Sequence, residues 1–355
     1  MTYVPERMMK ESIGFPLDIP PAEIDRRFRM ILGEFAMPSV PLNLNVTEEI
    51  ELEGKIIRQR VEYNVDKNEV VPAYHLFRKG LPKNAAGILS IHAHGGDQIF
   101  PVGKAFHCHP EKNDPAQYSY HAALAGFRVL APDALCFGER RTKWGYSVNF
   151  FDEIAAHEEL ACQGKSLAWK SVWDNSRALE VLELLGCPSM GAIGCSGGST
   201  QAYILAAVNK KVRATACFFS FMTLRHQFNQ FRLCHCLYHY IPGMMKAGID
   251  WDQVAALIPP RKIFLGWGAR DEGTPELMYR SFVSAIEKQQ NRESAGKCLY
   301  LYEEPEKGHE ITMPMLESAL DFLKVNVEPH GLKSVAAPSS AKPAEAYPPS
   351  SRCAL

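Results

Sequence analysis

The sequence predicts an open α/β sandwich with a mostly parallel sheet. Three observations lead there. Short apolar runs alternate with amphipathic helical stretches from Thr47 to about Glu328. The early runs Thr47–Val65 and Val70–Arg78 flank Asp66-Lys67-Asn68, a hairpin signal that puts an antiparallel edge on the sheet. The run Met190–Ile193 enters a glycine-rich turn that opens directly into a helix. Strands buried on both faces read as continuous apolar runs, which is what a parallel sheet covered by helices requires.

Taken in order, residues 1–46 read as an N-terminal helical arm. Prolines break it into short clusters, and one helix near Pro21–Phe35 is started by Pro20-Pro21 and Glu23. Residues 47–328 form the main domain. Its further strands are Gly87–Ala93, Phe127–Ala131, Gly191–Gly194, Ala214–Phe219, Ile263–Gly266 and Cys298–Tyr302. Helices are predicted at Tyr118–Ala125, Trp169–Leu185, Thr200–Val208, Glu276–Lys288 and Met313–Val325. The stretch 221–261 is an insertion after the sixth strand, long enough to serve as a lid over a site. From residue 329 to 355, Ala, Pro, Ser and Lys dominate and apolar periodicity ends, so this tail is expected to be disordered.

Composition narrows the function. The 355 residues are 46% hydrophobic and 22% charged, with a net charge of −1, so no basic excess exists to neutralise a nucleic-acid backbone. Charged residues occupy Met1–Glu11 where an export leader would need an apolar core, and the apolar stretch Val212–Met222 is too short to span a membrane. Ten scattered cysteines then read as reduced thiols, and a cytoplasmic protein is expected. Neither a nucleic acid nor a membrane is an expected partner, and a homo-oligomer is compatible with all of this.

The sharpest motif is Gly194-Cys195-Ser196-Gly197-Gly198, a G-x-S-x-G segment between strand and helix. An abrupt strand-to-helix turn strains its central residue, and small flanking residues relieve the clashes. Ser196 is then presented above the sheet at a helix N-terminus, where developing negative charge is stabilised. A serine hydroxyl needs a base, and the base needs an acid to orient it, in the chain order Ser, acid, His. Asp271 lies just beyond the strand Lys262–Gly266, with Glu272 as the competing acid; His309 follows the next strand, preceded by Gly308 and followed by a helix. The oxyanion hole is expected from the Gly197 N–H and from the loop His92-Ala93-His94-Gly95-Gly96-Asp97. The second donor there is Gly96 or Asp97, and His94 and Gly95 border the substrate.

These residues resemble the α/β-hydrolase superfamily, over about Ala85–Val327. Within it the chain is similar to the dienelactone-hydrolase-like branch that includes acetyl-xylan-esterase-like proteins. The branch is carried by Ala131–Arg140, by Gly164-Lys165-Ser166-Leu167 leading to Trp173-Asp174, and by Tyr240–Gly243 followed by Ala255–Arg261. The resemblance implies a triad of Ser196, Asp271 and His309. One departure is that dienelactone hydrolases proper carry Cys at the elbow centre; here Cys195 stands one place early and reads as a packed residue.

Other features are weighed against this centre. His107-Cys108-His109 lies in a long polar loop, where alternate histidines do not share a direction as they would on a strand, and Cys234-His235-Cys236 with His239 lacks a second spaced ligand pair, so no metal is expected. Phe221, Phe231 and Tyr240 are candidates for an apolar roof over Ser196, and Arg140 for receiving a substrate carboxylate. The expected activity is hydrolysis of a small-molecule carboxylic ester through an acyl-enzyme, with no cofactor. The same machinery also serves a peptidase, thioesterase or lactonase, and the fold also serves non-catalytic binding proteins.

Overall fold

Strand after strand, the alternation of side chains sends neighbours to opposite faces, so two separate cores form. The computed structural model describes residues 19–33, 40–94, 103–141, 149–228, 237–294 and 296–328. Among the described residues, nine strands form one sheet: β1 (Asn45–Leu52), β2 (Ile56–Asp66), β3 (Glu69–Arg78), β4 (Gly87–Ile91), β5 (Arg128–Pro132), β6 (Met190–Cys195), β7 (Val212–Phe218), β8 (Lys262–Gly268) and β9 (Leu299–Glu304). Their spatial order is β1-β2-β3-β5-β4-β6-β7-β8-β9. β1, β2, β3 and β5 pair antiparallel, while β5, β4 and β6 to β9 run parallel.

Leu89, Leu130, Ala192, Ile263 and Leu265 point into one core; Ile88, Val129, Ile193 and Phe264 point into the other. The first core is closed by α1 (Pro21–Leu32), α4 (Leu167–Leu184), α5 (Gly197–Val208), α6 (Trp251–Ala255) and α7 (Glu276–Arg292). The second is closed by α2 (Tyr118–Leu124) and α8 (Met313–Val327). A further helix, α3 (Asn149–Cys162), lies between β5 and α4 in the chain.

The architecture predicted from sequence is thus present, with specific differences. The run Thr47–Val65 is two strands, because Glu53 and Gly54 both adopt positive φ (46° and 68°) and turn the chain back, closed by Lys55 N–H donating to Leu52 O. The antiparallel edge therefore has three strands before β5, and the insertion follows the seventh strand. β1 already begins at Asn45, within the stretch read as the arm. Helix α1 docks onto the main core through Ile24, Phe28 and Leu32, with Phe28 edge-on to Trp251 at 5.9 Å between ring centroids. Helix α3 was not foreseen. The tail, residues 329–355, lies outside the described residues.

From β4 the chain reaches β5 on one side and later β6 on the other, so the carboxyl ends of β4 and β6 diverge into a crevice where an open α/β sheet offers a binding site. In register, Ile91 faces Gly194. The loop after β4 and the turn after β6 are therefore neighbours.

Candidate active site

At the end of β6 the backbone turns at Ser196 with φ 53° and ψ −119°, a left-handed conformation unusual for a residue with a side chain. Ser196 N–H donates to Phe218 O at 2.8 Å, and Ser196 O accepts from Thr200 N–H at 3.1 Å, which locks the turn between β7 and α5. The glycines are required by space. A Cβ on Gly194 would lie 2.3 Å from Gly198 O, and one on Gly198 would lie 2.2 Å from Ile91 O. Both obstacles are backbone and cannot swing aside. Gly198→Ala is therefore expected to cost about 3 kcal/mol or more of stability, read as a lowered urea midpoint; a wild-type midpoint would contradict this packing.

Two loops at the carboxyl ends of β8 and β9 carry the acid and the imidazole. They are laced together: Ala269 N–H donates to Glu304 O at 2.9 Å and Arg270 N–H to Lys307 O at 2.8 Å. Gly268 permits this, since a Cβ there would lie 2.3 Å from Gly308 O. His309 Nδ1 and Asp271 Oδ2 are 2.9 Å apart. A carboxylate accepts, so Nδ1 carries the hydrogen and Nε2 is left as the basic nitrogen. The second Asp271 oxygen accepts from Gly273 N–H at 2.8 Å, and the side chain is fully buried. Glu272, the competing acid, points to solvent.

The imidazole also rests on Phe219, with ring centroids 4.8 Å apart. Phe219 and Ser220 are consecutive positive-φ residues (63° and 64°), fixed by Phe219 N–H to Gly266 O and Ser220 N–H to Thr274 Oγ1. This support was not foreseen, because neither residue type signals a left-handed turn.

Ser196 and His309 line one cavity of about 640 Å3, with Ala93, Phe106, Asp114, Pro115, Ala116, Tyr118, Cys195, Glu310 and Ile311. Tyr118 is held by donating its hydroxyl to Ile91 O at 2.8 Å and stacks on His107. Burial, with the Asp271 charge adding to it, pushes the Cys195 thiol up to about 12, so it stays protonated and is no nucleophile at neutral pH. Gly197 is the first residue of α5, where backbone N–H groups lack intrahelical partners. The other oxyanion candidates, Gly96 and Asp97, and the neighbouring Gly95 lie outside the described residues. His94 is described: its Nε2 bonds the Glu153 carboxylate, and its ring meets Phe137 edge-on.

Three expectations need correction, and two more fall outside the described residues. Phe221 is no roof residue; it is fully buried against Tyr279 and Phe282 in the first core. Tyr240 does not line the cavity, and its hydroxyl accepts from Gln227 Nε2 at 3.3 Å. Arg140 is not open to a substrate. It is held by Asp174 Oδ2 at 2.8 Å, the Asp133 carbonyl at 3.1 Å and Glu69, so one nearby acceptor and two from distant segments converge on it. Phe231 and Cys234-His235-Cys236 lie outside the described residues. His239 bonds Thr200 and Tyr203 in the interior, and His107 bonds Ser119. Among the described residues no group of three or more His, Cys, Asp or Glu is placed to hold a metal ion, and no helix is long and apolar enough to cross a membrane.

No family model and no curated protein matches the sequence. Solved structures do match. A Bacteroides fragilis protein assigned as an acetyl xylan esterase superposes with a TM-score of 0.66 at 14% identity, over 92% of this chain and 89% of that one. A glucuronoyl esterase from Solibacter usitatus gives 0.62 at 15%, over 86% and 91%. Acetyl xylan esterase 1 from a Thermoanaerobacterium species gives 0.54 at 15%, over 91% and 98%.

Proposed function

The chain has the α/β-hydrolase fold, and on that scaffold we propose that it is a serine hydrolase of carboxylic esters. The observation that carries this reading is the 2.9 Å pairing of His309 with buried Asp271 on the wall of the cavity that also holds Ser196. Ser196 Oγ attacks the acyl carbon while His309 Nε2 takes its proton. Asp271 keeps the proton on Nδ1 and stabilises the imidazolium. The Gly197 N–H, at the positive end of α5, faces the developing oxyanion. His309 then passes its proton to the leaving alcohol, and a water activated by the same imidazole releases the acid. The esterase names of the solved neighbours support the ester as substrate over other acyl groups.

The cavity wall also favours certain esters. Phe106, Pro115, Tyr118 and Ile311 supply an apolar surface, and Asp114 and Glu310 supply carboxylates. Glu310 is paired with Lys307 at 3.1 Å. Asp114 accepts from neutral donors, Ala116 N–H and Gln117 Nε2, each at 2.9 Å. A like charge about 6 Å from an uncompensated carboxylate costs about 1–3 kcal/mol at an intermediate dielectric. Neutral esters are accordingly expected to exceed matched esters with a carboxylate on the acyl chain by about tenfold in kcat/KM. The same panel tests the activity itself. Turnover of p-nitrophenyl esters, with fluorophosphonate labelling mapped to the Ser196 peptide by mass spectrometry, supports the reading. Label on another residue, or no turnover across the panel, removes it.

A further inference from the structure

Ser196 is flanked by a second histidine–carboxylate pair, His94 with Glu153, and its geometry differs from that of His309 with Asp271. We propose that Glu153 is a positioning residue, acting through His94 to hold Gly197 and its N–H in place beside the nucleophile. This rests on the reading of Ser196 as nucleophile.

Glu153 sits on α3, and its side chain is fully buried. One carboxylate oxygen bonds His94 Nε2, and the other, Oε1, has no partner among the described residues. Burying a carboxylate costs several kcal/mol, and packed apolar groups of similar volume often serve stability as well or better. A carboxylate retained there, with one oxygen unpartnered among the described residues, does not read as a stability device.

The path to the site is short. His94 follows β4, and its backbone lies against the elbow. A Cβ placed on Gly197 would be 2.9 Å from His94 Cβ and 3.2 Å from His94 N. Phe137 closes the ring from another side at 5.3 Å between centroids. Neighbouring His92 is fixed as well: burial keeps it neutral, its Nε2 accepts from Ala134 N–H at 3.0 Å, and its Nδ1 then donates to Ala93 O. The end of β4 is thus pinned at alternate residues, by β5's following loop at His92 and by α3 at His94. Helix α3 is in turn tied down where Cys136 Sγ donates to Asp152 O at 3.3 Å.

His94 differs from His309 in exposure and in place. His309 lines the cavity, whereas Ala93 lines it and His94 does not. His94 therefore acts on the reaction through Gly197 and not by touching the substrate. Removing the anchor loosens a donor that matters only when the oxyanion forms, so kcat falls and KM does not.

The test uses the full chain with three variants. Glu153→Met fills the volume without an acceptor, Glu153→Ala empties it, and Glu153→Gln restores an acceptor oxygen. Each is assayed for thermal midpoint, for kcat and KM on p-nitrophenyl acetate, and for the rate ratio between that ester and its thionoester, whose sulfur is a poorer oxyanion-hole ligand. Loss of a whole oxyanion donor costs about 10²–10³ in kcat, so a misplaced one is expected to cost about 30-fold. Glu153→Met should keep the wild-type midpoint, lose about 30-fold in kcat with KM within about threefold, and show a reduced oxygen-to-sulfur ratio; Glu153→Gln should recover most of the loss. Wild-type kcat in Glu153→Met and Glu153→Ala overturns the proposal, as does an unchanged oxygen-to-sulfur ratio. Failure of Glu153→Met to fold also overturns it, because the carboxylate then holds the structure and not the site. A wild type that fluorophosphonate does not label at Ser196 sinks the serine-hydrolase reading instead, which separates the two failures.

Discussion

Ser196→Ala is expected to lower ester turnover by on the order of 10⁴-fold or more and to abolish fluorophosphonate labelling. The size of the effect follows from how the residue is held. Its φ of 53° is maintained by the Phe218 and Thr200 hydrogen bonds and by two glycines that admit no side chain. That backbone is imposed by the elbow, so it persists when the hydroxyl is removed. Alanine tolerates this conformation no worse than serine does. Folding should therefore be unaffected, with a thermal midpoint near that of the wild type, while covalent chemistry is lost. Cys195 offers no substitute, since its thiol remains protonated. Labelling that survives in Ser196→Ala places the nucleophile elsewhere.

Asp271→Asn is expected to lower kcat by about 10⁴-fold with little change in stability. Asp271 Oδ1 accepts from Gly273 N–H, and Oδ2 faces His309 Nδ1. An asparagine oriented to keep the Gly273 bond presents its NH₂ to the imidazole. Nδ1 must then accept, the hydrogen moves to Nε2, and the imidazole no longer takes a proton from Ser196. Both hydrogen bonds survive, so the fold does too. Glu272→Gln, at an exposed position on the same loop, is the matched control and should leave kcat within about twofold. Equal losses in the two variants, or none in Asp271→Asn, would mean that another acid orients His309.

Much of this centre was legible from one-dimensional pattern. Ser196 was marked by glycines whose spacing answers a local clash, and Asp271 and His309 by their places just beyond apolar strands. The choice of Asp271 over Glu272 followed only from distance to the strand end; the His309 contact now supports it. The helices at Glu276 and Met313 were legible because amphipathic period and burial coincide in them. Helix α3 was not, and the turn at Glu53-Gly54 was hidden because glutamate seldom adopts positive φ.

Arg140 shows where such pattern stops. A cation after a strand near a predicted pocket resembles a carboxylate receptor, yet Glu69 and Asp174, distant in the chain, already occupy it. Phe221 shows the same thing for an apolar residue: its type suits a roof or a core equally, and contact with Tyr279 and Phe282 decides for the core. The cavity wall came instead from Phe106, from Asp114 to Ala116 and from Tyr118 at the start of a helix, none of them marked by its type as a site residue.

Chain order and periodicity alone settled the alternation of strands and helices, the strained turn at Ser196 and the candidates that follow it, because these depend on residues a few positions apart. Which side chains face the crevice, which charges cancel in pairs, and that Glu153 reaches His94 were decided by tertiary packing. Those partners lie 34 to 71 residues apart in sequence, and only the folded sheet sets the direction in which each one points.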